Sequence, residues 1–227
     1  MSNRSAISHD VHADIAAIGR IDAVPTILDV VCRTTGMGFA AVARVTEGRW
    51  VACHVLDNID FGLQPGGELK IETTFCREVR TNRAPVVIDH VAEDADYRQH
   101  PIPAMYGFQS YISMPIVRKD GRFFGTLCAV DPRPARLKNA ETIGMFRLFA
   151  ELIAAHLDSD ESVQASRAAL IESQHISELR EQFIAVLGHD LRNPLASISG
   201  GARLLLQEAP PERRKLLLDT ILSLIHI

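Results

Sequence analysis

The 227-residue chain predicts an α+β fold continued by a long helical rod, on three observations. Short alternating apolar runs before residue 140 read as strands; the tight turn "RKDG" joins two of them into a hairpin; and after "DPRPARL" the apolar spacing changes to a period of 3.6 and keeps it. The first part is expected to form an antiparallel sheet of about five or six strands with flanking helices. The second is expected to form a long helix coiled with a partner.

The elements follow in order. A helix-like run spans Val24 to Arg33, after an N-terminal helix assigned to residues 1–19. "GFAAVARV" and "RWVACHVL" read as strands separated by the turn "TEGR", and a polar, glycine-containing loop (Gln64 to Gly67) comes next. In "ETTFCREVRTN" either Thr73 or Thr74 is placed to cap a short helix. "APVVIDH" reads as a buried strand and "DADYRQHPIPAMYG" as a long connection with local helical turns. "QSYISMPIV" and "RFFGTLCAV" are the hairpin strands.

Composition narrows the function. Hydrophobic residues make up 47% of the chain, enough for a core, and the net charge of −4 gives no basic field for nucleic acid or anionic lipid. The apolar runs are too short to span a bilayer, and no charged-then-apolar leader opens the chain, so a cytoplasmic protein is expected. Cys32, Cys53, Cys76 and Cys128 stand far apart without a Cys-x-x-Cys pair, which argues against a metal site and for buried small hydrophobes.

Beyond residue 140, Ile143, Phe146, Phe149 or Leu148, Leu152 and Ile153 mark one helical face. The polar patch "DSDES" (158–162) interrupts it, and apolar positions return at Leu170, Ile176, Leu179 and Phe183. No proline lies between Pro134 and Pro194. A helix continuous from Ala140 to Gln207 extends about 100 Å at 1.5 Å per residue. A rod of that kind suits a parallel coiled coil better than a monomeric globule.

On a wheel anchored at Ile176, Leu179, Phe183, Val186, Leu187 and Leu191, His189 lies more than roughly 100° from the seam centre, and Asp190 nears its edge. A solvent-facing imidazole beside an acid has the chemistry of a nucleophile, because the acid keeps one ring nitrogen protonated while the other presents its lone pair. Pro194 cannot donate to the Asp190 carbonyl, so a kink is expected just past the histidine. A metal role lacks the second histidine of His-Glu-x-x-His.

"FIAVLGHDLRNPLASISG" resembles the phosphoacceptor box of sensor histidine kinases over 18 contiguous residues. The resemblance implies that two helical hairpins from two chains form a four-helix bundle. It implies further that His189 is phosphorylated, that Asp190 orients and activates it, and that Asn193 helps position water for dephosphorylation. "APPER" (209–213) then reads as the hairpin turn and "RRKLLLDTILSLIHI" as the start of the second helix. The family's ATP-binding domain has no counterpart here, so the chain reads as the N-terminal part of a kinase. ATP and Mg²⁺ act only through a catalytic domain supplied from elsewhere, and phosphate passes on to a response-regulator receiver domain.

"TTFCREV", "VVIDHVAEDADYRQHP", "YISMPI" and "GRFFGTLCAVDPRPARL" resemble a GAF domain, a small-molecule sensor module. With the preceding helix and strands it extends over residues 20–157, followed by a linker (158–178) and the phosphoacceptor domain (179–227). GAF pockets lie between the sheet and the connecting segment, which makes Cys76, Asp89, Tyr97, Tyr106 and Tyr111 the pocket candidates for a small-molecule ligand. In bilin-binding relatives the attaching Cys-His lies late, beside the connecting helix. Cys53–His54 stands in an early strand, which argues against a bilin. The Asn-Lys-Phe-Asp-Glu pattern of cyclic-nucleotide GAF domains is not apparent. The expected protein is a homodimeric sensory histidine-kinase part; the alternatives are a GAF-based dimerisation or interaction module without ligand, and a bilin photoreceptor.

Overall fold

The computed structural model describes the backbone of residues 3–205 and 210–225, with side chains described there except at 3–10, 185–191 and 224–225. The chain divides into two units, Met1–Val163 and Gln164–Ile227.

The first unit opens with helices α1 (Asn3–Gly19) and α2 (Ala23–Thr35) and strands β1 (Phe39–Val45), β2 (Arg49–Asp57) and β3 (Glu68–Lys70). A 3₁₀ turn (Ile71–Thr73), helix α3 (Cys76–Asn82), strand β4 (Val86–Ile88), a second 3₁₀ turn (Val91–Glu93) and helix α4 (Pro101–Tyr106) follow. Strands β5 (Ser110–Val117) and β6 (Phe123–Asp131) complete it, together with the first part of helix α5 (Ala140–Leu205). The six strands form one antiparallel sheet in the order β3-β2-β1-β6-β5-β4.

Period-two alternation assigns the faces of the sheet. Ala40, Val42, Leu127, Ala129, Ile112 and Met114 pack with α2 and the start of α5. Phe39, Ala41, Ala43, Cys128, Val130 and Tyr111 join the segment from Ile71 to Phe108 on the other face. A run of small residues at Ala40–Ala43 lets β1 lie between both layers. Gly125 has a related reason: a Cβ there would run into the carbonyl oxygen of Ala43 on the neighbouring strand. In the "RKDG" turn the Arg118 N–H donates to Arg122 O (2.9 Å), and Gly121 supplies the positive φ of 82° that the turn needs.

Two expectations are corrected. Neither Thr73 nor Thr74 caps α3: their hydroxyls donate backwards, to the carbonyls of Lys70 and Ile71, and Phe75 occupies the cap position. Local bonding to the preceding 3₁₀ turn outcompetes the helix for those hydroxyls. On α5, Phe146, Ala150, Ile153, Ala154 and Leu157 form the buried stripe, whereas Leu148 and Leu152 are exposed. A stripe of that width stays on one side of a helix only at i, i+3, i+4 spacing, which Leu148 and Leu152 do not share with Phe146.

In the second unit α5 continues to Leu205, with Pro194 inside it, and α6 (Pro211–Ile225) follows. The expected end of the long helix at Gln207, and Ala209 of the hairpin turn, lie outside the described residues. Gly201 is the buried point where α6 returns, since a Cβ there would meet the Ile221 side chain at 3.0 Å. The unit is therefore a helical hairpin.

Candidate functional site

A cavity lies on the sheet face opposite α2 and α5, beneath the segment from Leu69 to Phe108. Its volume is about 40 Å³. Phe39, Trp50, Cys128 and Val130 of the sheet form the floor, and Thr73, Phe75, Cys76, Ile102 and Phe108 the roof. The aromatic rings hold one another in edge and tilted contacts: Phe75 meets Tyr111 at 5.3 Å between centroids and Tyr97 at 4.9 Å. Beside the cavity is an outer cleft of about 310 Å³ lined by Ile59, Asp60, Met105 and Pro132, among others. Phe61, Tyr106 and Phe108 line both, so these three rings stand between the interior and the cleft. The Tyr106 hydroxyl shares a 2.8 Å hydrogen bond with Thr73, which ties α4 to the 3₁₀ turn across the roof.

Of the five pocket candidates, Cys76, Tyr106 and Tyr111 line this cavity and Asp89 and Tyr97 do not. Asp89 turns away to accept the N–H groups of Leu137 (2.7 Å) and Lys138 (2.8 Å), which fixes the approach to α5. Tyr97 lies behind Phe75 with its hydroxyl directed at Glu78, and burial followed by that carboxylate's charge pushes its pKa up to about 12. Phe61, Thr73, Phe75, Phe108 and Cys128 were missed from the sequence. Cys128 had a signal: the hairpin register pairs Ser113 with Cys128 and so sets it beside Tyr111. Cys53 belongs to the opposite core, away from the cavity. A Cys53–His54 attachment to anything held in the cavity therefore lacks geometric support.

A second set of contacts joins the sensor sheet to the start of the long helix. The "DSDES" patch is where this happens. Asp158 accepts from Arg118 Nε (2.7 Å) and from the Lys119 N–H (3.1 Å), both in the β5–β6 turn. Glu161 pairs with Arg118 and with Arg122 (3.2 Å), and Asp160 with Arg20 (2.6 Å). Arg118 is largely covered, its side chain 13% exposed. Burial works against the charge of Asp158, but the Lys119 N–H and the Arg118 guanidinium outweigh it and hold its pKa below the ordinary carboxylate range.

Farther along α5, His189 and Asp190 belong to the helical backbone, and their side chains lie outside the described residues, as do those of Val186, Leu187 and Leu191. Asn193 is exposed. Of the anticipated seam, Ile176, Leu179 and Phe183 present 52–63% of their surface.

The first unit is thus a single antiparallel sheet with helices on one face and a roofed cavity on the other, and the second a helical hairpin that carries a histidine. The chain belongs to the GAF domain family, whose model matches residues 19–157, and the His Kinase A (phospho-acceptor) domain follows at residues 179–226. That order is the make-up of the sensory part of a histidine kinase, and no catalytic ATPase domain is found in these 227 residues. Solved structures share the fold of the first unit. The blue-light absorbing form of the PixJ GAF-domain of Thermosynechococcus elongatus is 13% identical, with a TM-score of 0.56 over 71% of this chain and 94% of that one. The chromophore-binding domain of the bacteriophytochrome RpBphP3 from R. palustris is 13% identical, with a TM-score of 0.51 over 70% and 63%. Residues 122 to 287 of a methyl-accepting chemotaxis protein are 21% identical, with a TM-score of 0.50 over 70% and 99%. At such identities the likeness is one of fold alone. No curated protein matches the chain. Among the described residues, no helix is long and apolar enough to cross a membrane.

Proposed function

We propose that the GAF domain senses a signal and passes it along α5 to His189, which takes a phosphoryl group and hands it to a receiver-domain aspartate of a response regulator. The observation that carries this reading is the order of the two domains, a GAF domain followed by a phospho-acceptor domain, with "GHDLRNPL" within the second. In the proposed roles His189 is the nucleophile, Asp190 keeps one imidazole nitrogen protonated so that the other is free to attack, and Asn193 positions water during dephosphorylation. Phosphoryl transfer also requires positioning and charge stabilisation around the γ-phosphate, which a separate ATP-binding domain with its Mg²⁺ supplies. The exposed side chains of Ile176, Leu179 and Phe183 support a parallel homodimer in which a second copy covers that stripe. We place the protein in the cytoplasm, where ATP and response regulators are found.

The test is labelling with radioactive ATP. The chain alone is expected to stay unlabelled and to become labelled when a matching ATP-binding domain is added. His189→Gln is expected to abolish the label, Asp190→Asn to slow labelling about a hundredfold or more, and Asn193→Ala to slow the loss of phosphate from the partner regulator. Label that survives His189→Gln contradicts the proposal.

A further inference from the structure

Cys76 and Cys128 are the two sulfur atoms that line the cavity. Cys76 begins α3 and Cys128 lies on β6, and both are buried. Ser113 faces Cys128 across the β5–β6 pair and Thr126 stands two residues before it on the same face, so Cys76, which touches both hydroxyls, lies over the part of the sheet that carries Cys128. Three hydroxyls converge on Cys76 Sγ as well: Thr126 at 3.3 Å, Tyr111 at 3.4 Å and Ser113 at 3.7 Å. Nothing in the proposed relay of phosphate uses this arrangement, and an apolar cavity needs no ring of hydroxyls around a sulfur.

The geometry points to Cys76 and Cys128 as an oxidisable pair that a small hydroperoxide, entering the cavity, converts into one disulfide within the sensor domain. The donors favour the thiolate at Cys76: burial acts to raise its pKa, but the hydrogen bonds from Cys128, Thr126, Tyr111 and Ser113 outweigh that and lower it. Cys128 is raised, first by its bond to Cys76 and then by burial, so it remains the protonated member. Cys76 sulfur attacks one peroxide oxygen and the O–O bond breaks. The departing hydroxide takes up the proton that Cys76 released, leaving a sulfenic acid and one water. Cys128 sulfur then attacks the sulfenic sulfur, and its proton leaves with the hydroxyl as a second water. Two thiols lose two hydrogens and the peroxide is reduced to two waters. The size of the cavity selects the oxidant, since about 40 Å³ admits hydrogen peroxide and not a peptide disulfide.

The remaining cysteines serve as internal controls. Cys32 and Cys53 lie in the opposite core, and burial above all pushes their thiols up to about 11 and about 12. Both are expected to stay reduced. The inference does not rest on the phosphate relay, because it concerns the sensor domain whether or not His189 accepts phosphate.

The test is mass spectrometry of the whole chain under non-reducing conditions after brief exposure to hydrogen peroxide. The expected result is a loss of two hydrogens per chain, a cross-linked peptide pair containing Cys76 and Cys128, free Cys32 and Cys53, and full reversal by dithiothreitol once the chain is unfolded. In Cys128→Ala, Cys76 lacks its partner and is expected to stop at a sulfenic acid, captured by dimedone when the oxidised chain is unfolded in its presence. An unchanged mass, a cross-link through Cys32 or Cys53, or oxygen added at Cys76 of the native chain without a cross-link would overturn the inference. The native-chain measurement stands even if the variant fails to fold.

Discussion

Asp131 is a buried carboxylate that ties two strands of the sensor together. Its side chain, 2% exposed, accepts from the N–H groups of Gly38 (2.8 Å) and Arg133 (2.8 Å) and from the Arg133 guanidinium (2.9 Å), so it joins β6 to the entry of β1. Burial opposes its charge, but the bonds from Arg133 and Gly38 outweigh that and hold its pKa below the ordinary value. A carboxylate with a lowered folded pKa stabilises the fold above its unfolded value, near 3.8, and loses that contribution as pH falls through the lower folded value. Asp131→Ala is therefore expected to cost about 2–3 kcal/mol at neutral pH, read as a fall in Tm, and the difference from the native chain should shrink as pH falls below 3.8. An unchanged Tm at neutral pH would contradict this account. Residue types were easier to read from the sequence than their directions. Cys76, Tyr106 and Tyr111 reach the cavity, while Asp89 and Tyr97, from the same segment, do not. Whether a loop carboxylate faces a cavity or a neighbouring pair of amides depends on tertiary contacts, and Leu137 lies 48 residues beyond Asp89.

At the scale of elements, α5 was legible because a helical period and the lack of proline persist through Ala140–Leu205 as far as Pro194. The meaning of "DSDES" was not. As sequence it is a polar interruption; in the fold it is the grip of the β5–β6 turn and Arg20 on the helix, with partners about forty or more residues away. Arg118→Ala removes the covered partner of Asp158 and Glu161. Because the pair is partly covered, the expected cost is about 1–3 kcal/mol, between that of surface and buried ion pairs. Hydrogen exchange of the amides around residues 155–161 should quicken while those of α2 stay protected. Equal exchange in both proteins would show that the grip carries no load. The hairpin turn, by contrast, was readable because "RKDG" supplies glycine where positive φ is required.

At the scale of the whole molecule, the order of domains could be read from one 18-residue box and four segments before it, and the GAF and phospho-acceptor matches agree with it. The cavity was not readable beyond its approximate segment, because its walls come from side chains spread between Phe39 and Val130. Light scattering at micromolar concentration should report a dimer, and Leu179→Asp with Phe183→Glu should shift it to monomer; a native monomer would contradict the proposed pairing. The central claim, that the sensor sets the state of His189 through α5, predicts a dependence on helical phase. Insertions belong beyond the anchored acids, for example after Ser166, so that the Arg118 and Arg122 pairs stay intact. Two added residues turn the following helix by roughly 200° and seven nearly restore the phase. The decisive measurement is the rate of His189 labelling by an added ATP-binding domain in the native chain and in both insertion variants. The account predicts a native-like rate with seven added residues and a clearly altered rate with two; equal rates in all three would contradict it.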